Sequence, residues 1–376
     1  MGRREGPLAS MVTNVVQPNK ISPAFWSGKR VFVTGSTGFK GSWLTLWLAM
    51  MGCSVKGYAL PPATKRSLFT DGQIDEFVQT TFSDIRDLPS LTRSMTVFDP
   101  EIVFHLAAQP LVGESYTSPV DSYTTNVIGT VHVLEATRAC KNVMALINVT
   151  TDKCYENKEW PWGYRETDRL GGSDPYSSSK ACSELVTSAY RSSFFSTREA
   201  PSIASARAGN VIGGGDWTPG RLIPDIFEAC ESGQTLTIRN PRAVRPWQHV
   251  LDPLYGYILL AESLCTDGKR FSQEWNFGPS IGHDATVESI LHYVNRSVGN
   301  SVVWRPSIED GFHETNLLQV DSSKAQTYLG WHPQLPLSKA LDLTIEWHLA
   351  VAAGENVQRV TRAQITDMQQ AVSLDI

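Results

Sequence analysis

A chain of 376 residues, 41% hydrophobic and 19% charged, is long enough to bury a substantial core without disulfide or metal staples. A formal net charge of -5 and a pI near 5.9 exclude a general nucleic-acid-binding surface, so an anionic ligand has to be held by local devices. Six scattered cysteines, without a Cys-x-x-Cys pair or clustered histidines, exclude a disulfide framework and read as reduced thiols, with no metal site expected.

The chain opens with a polar, irregular extension, residues 1–25. Arg3 and Arg4 are followed by no long apolar core, so it does not read as a signal peptide. The longest apolar run, Trp43 to Met51, is too short to span a bilayer. No membrane or nucleic-acid partner is expected, and the predicted location is cytoplasmic.

Lys29 to Thr34 reads as a short buried strand, running straight into Gly35-Ser-Thr-Gly38-Phe-Lys-Gly41. Behind it Leu44, Trp47, Leu48 and Met51 recur at i, i+3, i+4 and i+7, which predicts an amphipathic helix, and Ser54 to Tyr58 is a second strand. Strand, glycine turn, helix and strand make a dinucleotide-binding unit, in which glycines let backbone amides approach a pyrophosphate at the helix N-terminus. No acid ends the second strand. Lys65 and Arg66 follow instead, as partners for a ribose 2′-phosphate or as a solvated loop, so NAD and NADP both stay open from the residues alone.

Further strands are predicted at Phe77–Phe82, Glu101–Leu106, Val143–Val149 and Ser202–Arg207, with helices between them. This alternation gives the fold class as α/β, a doubly wound parallel sheet of Rossmann type with a smaller α/β substrate-binding lobe. The expected domains are a dinucleotide-binding unit over 26–200, a lobe over 201–353 with some segments returning to the sheet, and a tail over 354–376. Arg207, Arg221, Arg239, Arg242 and Arg245 are dense for an acidic chain, and arginine forks suit a diphosphate.

The chemistry concentrates between Asn148 and Lys180. Tyr176 and Lys180 are four apart, hence on one helix face, where an ammonium favours a phenolate and makes it usable as a base. Thr151, Asp152 and Lys153 stand at the carboxyl end of an apolar strand, the edge at which such sheets gather their ligands. They add an acid and a candidate second base.

Taken together, Thr34-Gly-x-x-Gly38-x-x-Gly41, His105-Leu-Ala-Ala-Gln109, Asn126-Val-x-Gly129-Thr and Tyr176-x-x-x-Lys180 resemble the extended short-chain dehydrogenase/reductases that act on nucleotide sugars. Within them, Thr37-Gly-Phe-Lys-Gly-Ser-Trp43, Thr150-Thr-Asp-Lys-Cys-Tyr-Glu-Asn157, Ala208 to Trp217 and Arg245-Pro-Trp-Gln-His-Val250 resemble the CDP-glucose 4,6-dehydratase family, across roughly residues 26 to 350. The resemblance implies NAD as cofactor and CDP-glucose as substrate. It implies Tyr176 as base at the sugar 4-hydroxyl, Lys180 as its partner, Thr151 as the holder of the 4-oxygen, Asp152 as acid for the departing 6-hydroxyl and Lys153 as the C5 base. Many related dehydratases carry Glu where this chain has Lys153, and a lysine serves only when neutral. By the same resemblance Gly35, Thr37, Gly38, Phe39, Gly41, Asp84, Ile85, Leu106, Ala107 and Ala108 line the cofactor, and Gln109, Asn210, Arg221 and Arg245 the substrate. It also implies a homodimer through a four-helix interface built from Pro119–Cys140 and Tyr176–Phe195. A 4-epimerase would share Tyr176 and Lys180 but leave Asp152 and Lys153 idle. A dehydratase of another nucleotide sugar would use the same groups, and a non-catalytic dinucleotide sensor would need none of them.

Overall fold

Seven parallel strands form the centre of the computed structural model, which describes residues 19–280, 285–307 and 315–373. In chain order the first six are β1 (Arg30–Thr34), β2 (Ser54–Ala59), β3 (Gln79–Phe82), β4 (Ile102–His105), β5 (Ala145–Val149) and β6 (Ser202–Ala208). A seventh strand, Glu274–Phe277, pairs with β6 at one edge, and β3 forms the other. The predicted doubly wound sheet is present, with the strand bounds shifted by a residue or two. Most of the expected N-terminal extension, residues 1–18, lies outside the described residues.

The spatial order places β1 between β2 and β4. From β1 the chain winds outward one way through β2 and β3, then the other way through β4, β5 and β6. The crevice beyond the carboxyl ends of β1 and β4 is therefore the topological switch point, where open α/β sheets take their ligands. Both strands feed it directly. Leu106 N donates to Thr34 O at 3.1 Å, and Ala107 N donates to Thr34 Oγ1 at 3.2 Å.

Beyond β6 the chain builds a second lobe from short pairings: Val211–Ile212 with Gln248–His249, Leu236–Ile238 with Trp304–Pro306, and Val244–Arg245 with Ala285–Thr286. Helices Leu222–Ser232, Val287–Ser297 and Leu337–Ala352 enclose its own apolar core around Ile226, Phe227, Ile290, Leu291 and Leu341. Helix Leu251–Thr266 and strand Glu274–Phe277 return to the main sheet.

Two expectations need correcting. Helix Phe39–Met50 is not amphipathic: every residue from Gly41 to Leu48 is buried. The reason lies in the tail after Gly354. It forms a helix, Val357–Val372, whose Ile365, Met368 and Val372 join the core that holds Trp43 and Trp47. Their spacing of three and four was already in the sequence as a narrow stripe. The second correction concerns 119–140, read as one regular helix. It runs as Pro119–Tyr123, a π-helical turn Thr124–Ile128, then Gly129–Ala139. The widened turn carries Asn126, whose amide accepts from Gln109 N at 2.8 Å and donates to Ser179 Oγ at 2.8 Å. Such turns are common at functional sites. Among the described residues no helix is long and apolar enough to cross a membrane.

If the C-terminal helix is part of the core, Ile365→Ala leaves a cavity and lowers unfolding free energy by about 2–5 kcal/mol. Denaturant titration reads this directly, and an unchanged midpoint would show that the helix packs too loosely to matter.

Candidate active site

The glycine turn leaves β1 under tight steric constraint. Gly35 has φ +73°, and a Cβ there would sit 2.7 Å from Ala107 N; a Cβ on Gly41 would lie 2.0 Å from Gly35 O. Gly38, by contrast, is exposed and forms the N-cap of helix Phe39–Met50, whose first turn contains no acid. The turn is thus compact on its protein side and open on its outer side, with amide hydrogens and a positive helix end facing out. Thr37 Oγ1 ties it to β2 by donating to Leu60 O at 2.8 Å. These residues fit the pyrophosphate of a dinucleotide.

Around them, Asp84 is bound by Arg86 at 2.7 and 3.0 Å, which holds its carboxyl below the usual range. Ile85 is buried, its carbonyl 3.0 Å from His132 Nδ1. Leu106, Ala107 and Ala108 are half-buried in the crevice after β4, and Phe39 faces Gly213 of the lobe, where a Cβ would come within 3.2 Å of its ring. Arg66, one of two cations considered for a 2′-phosphate, is already engaged. Its guanidinium meets Glu231 at 3.0 and 3.1 Å and lies 3.5 Å over the Trp217 ring.

β5 delivers the reactive cluster. Thr151 caps the short turn Asp152–Cys154 and donates to Asp152 Oδ1 at 3.0 Å. The other oxygen, Asp152 Oδ2, is buried without a hydrogen-bond partner among the described residues, and a Cβ on Gly209 would approach it to 2.7 Å. Burial pushes the Asp152 carboxyl up, against the pull of Lys153, Thr151, Arg245 and Lys40. A carboxyl that favours its protonated form is suited to give a proton away.

Tyr176 enters on helix Pro175–Ser193, which Asp174 caps through Ser177 N at 2.9 Å. Burial pushes Tyr176 up to about 12, with Thr151 and Arg221 acting to lower it and Asp152 and Asp174 to raise it. Lys180 is brought down to about 8 by burial, partly offset by Glu184, and donates to Val149 O at 3.2 Å. The expected lowering of the tyrosine by its lysine does not dominate this site; burial does. Lys153 lines a cavity together with Tyr155, Ser177, Arg245 and Leu318.

Behind the cluster lies a buried ion pair that the sequence motifs do not announce. Glu184 and Arg207, each 1% exposed, meet at 2.8 Å. Glu184 also accepts from Ser205 Oγ at 2.6 Å and from Thr150 Oγ1 by a short bond. Arg207 reaches on to Tyr155 OH at 2.8 Å, and that hydroxyl donates to Asn276 Oδ1 at 2.7 Å. Burial alone would push Glu184 up, but Arg207 and these hydroxyls hold it below the usual carboxylate range. Arg207, counted above among the phosphate arginines, is therefore spent inside the protein. Its position on a seven-residue strand buried throughout was the available signal.

Of the residues expected at the substrate, Arg221 pairs with Asp216 at 2.8 Å and acts on Tyr176, while Arg245 is buried and acts on Asp152. Asn210 O receives Gln248 N at 3.0 Å. Gln109 turns its side chain back on Leu111, accepting from its N at 2.8 Å. Lys40, not singled out by sequence reasoning, lies among these groups. Its charge acts on Asp152 and is itself opposed by Arg221 and Lys180. No cluster of three or more metal-ligating side chains exists among the described residues.

The fold has counterparts in known proteins. The family model of the GDP-mannose 4,6 dehydratases matches residues 32–344. The chain belongs to that family. Among its curated relatives, a CDP-glucose 4,6-dehydratase of Salmonella typhimurium is 50% identical over 357 residues, covering 94% of this chain and 99% of the relative. A dTDP-glucose 4,6-dehydratase of Escherichia coli is 26% identical, covering 85% and 93%. The solved dTDP-glucose 4,6-dehydratase of Streptomyces venezuelae, with NAD bound, superposes with a TM-score of 0.74 at 25% identity, covering 86% of this chain and 98% of that one. Membership in the family agrees with the short-chain dehydrogenase/reductase resemblance read from the motifs.

Two outcomes test this geometry. Glu184→Gln leaves Arg207 as an uncompensated buried charge and destabilises the fold by about 3–5 kcal/mol in denaturant titration; a loss below 1 kcal/mol, roughly a surface pair, would contradict the network's role. Lys180 falls from an unfolded value of 10.5 to about 8, so folding releases its proton and stability rises with pH above 8. The melting temperature of wild type should therefore rise relative to that of Lys180→Met as pH increases from 8 toward 10.

Proposed function

We propose that this chain is a NAD-dependent hydro-lyase, a CDP-glucose 4,6-dehydratase that converts CDP-glucose to CDP-4-keto-6-deoxyglucose. The observation that carries the reading is the 50% identity, along 94% of the chain, to a curated enzyme of that name. The site supports it, because Asp152 and Lys153 adjoin the tyrosine and lysine of an oxidising centre, where a simple epimerase has no use for them.

NAD, when bound, supplies the acceptor for hydride from sugar C4 and later the donor to C6. The chain's residues do the rest. Gly35, Thr37, Gly38, Phe39 and Gly41 hold the dinucleotide's pyrophosphate, with Asp84 and Ile85 beside its adenine and Leu106, Ala107 and Ala108 against its flat face. Tyr176 takes the proton of the 4-hydroxyl while Thr151 holds that oxygen. A phenol raised to about 12 needs help, and the Thr151 hydroxyl and the cationic Arg221 lower the cost of the phenolate as the sugar binds. The 4-ketone acidifies C5. Lys153, in its neutral form, takes the C5 proton, the C6–O bond breaks, and Asp152 protonates the leaving hydroxyl, so that one water departs; as C6 is reduced, the Lys153 ammonium returns a solvent-exchanged proton to C5. Arg221 and Arg245 hold the substrate diphosphate, with Asn210 and Gln109 completing the sugar pocket.

The assembly proposed is a homodimer. Val120 is 73% and Leu185 58% exposed, and with Tyr123 and Ile128 they form an outward apolar strip along the two helices that flank the site. All six cysteines are free thiols, which fits a reducing, cytoplasmic setting.

The function is tested by incubation with CDP-glucose and NAD in heavy water, followed by NMR. A 6-deoxy-4-keto sugar carrying deuterium at C5 is expected; unchanged substrate or a galacto product would refute the assignment. Asp152→Asn should slow product formation by about 10²- to 10⁴-fold, the usual weight of a general acid, with CDP binding retained. For the dimer, Leu185→Asp should sediment as a monomer at concentrations where wild type sediments as a dimer.

A further inference from the structure

Asp152, the proposed acid, holds its two oxygens in different surroundings. Oδ1 accepts the Thr151 hydroxyl at 3.0 Å, while Oδ2 is buried with no hydrogen-bond partner among the described residues. That second oxygen faces Gly209, the residue at which the chain leaves β6 for the substrate lobe. A Cβ on Gly209 would stand 2.7 Å from Asp152 Oδ2 and equally 2.7 Å from Pro246 Cγ, with Pro246 O at 3.3 Å.

The backbone does not ask for glycine at this position. Gly209 has no positive φ, so the left-handed conformation that favours glycine elsewhere is not involved. The requirement is one of space. Of the two groups that crowd the point, Pro246 is the one that cannot give way. Its ring closes onto the main chain, it is buried, and two residues on Gln248 N donates to Asn210 O at 3.0 Å. The Asp152 carboxyl, by contrast, turns about two single bonds. A methyl group on residue 209 would therefore displace the carboxyl and leave the ring in place.

The oxygen so displaced is the one an acid would use. Oδ1 receives a hydrogen from Thr151, so a proton available for donation sits on Oδ2. In the elimination the C5–H electrons become the C5=C6 bond and the C6–O pair leaves with the oxygen. The Oδ2 proton completes the departing water. We propose that Gly209 is a positioning residue for the acid, its missing side chain leaving room for Asp152 Oδ2 at the point from which the leaving hydroxyl is protonated. The inference rests on the dehydratase reading and deepens it, since oxidation at C4 alone is indifferent to where this oxygen lies.

The test follows two events in turnover of CDP-glucose with NAD: NADH absorbance, which reports C4 oxidation, and formation of the 6-deoxy-4-keto sugar. Gly209→Ala should form product about 10- to 100-fold more slowly, the weight of a misplacement of about 1 Å. NADH should appear within about twofold of the wild-type rate and now accumulate. In an Asp152→Asn background the same substitution should add less than about twofold, because the group it acts through is already disabled. Pro246→Ala removes the ring contact and leaves the carboxyl contact, so Gly209→Ala made in that background supplies the same comparison if the single variant fails to fold. Product formation within about twofold of the parent would overturn the inference, as would NADH and product falling together or an undiminished loss in the Asp152→Asn background. A Gly209→Ala, Pro246→Ala pair that also failed to fold would make Gly209 a packing residue and overturn it too. If wild type forms no 6-deoxy-4-keto sugar, the dehydratase reading falls first and this inference with it.

Discussion

The site depends on one buried carboxylate. Glu184 receives Arg207 and Ser205 from β6, Thr150 from the end of β5, and stands one helical turn beyond Lys180. Two strand ends and the helix that carries Tyr176 and Lys180 are thereby pinned to a single group. The distances between Thr151, Asp152, Tyr176 and Lys180 follow from that pinning, since the first two continue directly from Thr150 and the last two share the helix. A buried pair of this kind adds little net stability over a well-packed apolar substitute, yet breaking it by removing one partner is expensive. Its contribution here is positional.

Burial also biases the protonation of the groups gathered there. It moves Asp152 and Tyr176 up, to about 12 for the tyrosine, and Lys180 and Lys40 down to about 8. Each shift favours the uncharged form. A site with these tendencies has an acid ready to donate and lysines closer to neutrality than surface lysines, which is what an elimination with Lys153 as base requires of its surroundings. Charge then enters with the ligands, into a place where its interactions are stronger than in water.

Much of this was legible in the sequence because local chemistry and topology pointed the same way. The glycine turn, the alternating strands and the Tyr176–Lys180 spacing each specify a local arrangement, and the parallel sheet brings their ends to one edge. What could not be read depends on contacts distant in the chain. Arg207 looked like a phosphate ligand because its partner, Glu184, is 23 residues away on another element. The 39–50 helix looked amphipathic because the helix that covers its outer face begins more than three hundred residues later. Lys40 passed unremarked because a lysine in a glycine loop looks solvated until the lobe closes over the same turn. Arg66 stood open between a ribose phosphate and solvent, and its actual partners, Glu231 and Trp217, both come from the lobe.

The central claim is that one site both removes the hydrogen from C4 and returns it to C6, with Asp152 and Lys153 acting in between. CDP-glucose deuterated at C4 tests it most directly. After turnover in ordinary water the account predicts a 6-deoxy-4-keto sugar with the deuterium in its C6 methyl group. Deuterium lost to solvent, or retained at C4 in an epimerised sugar, would contradict it.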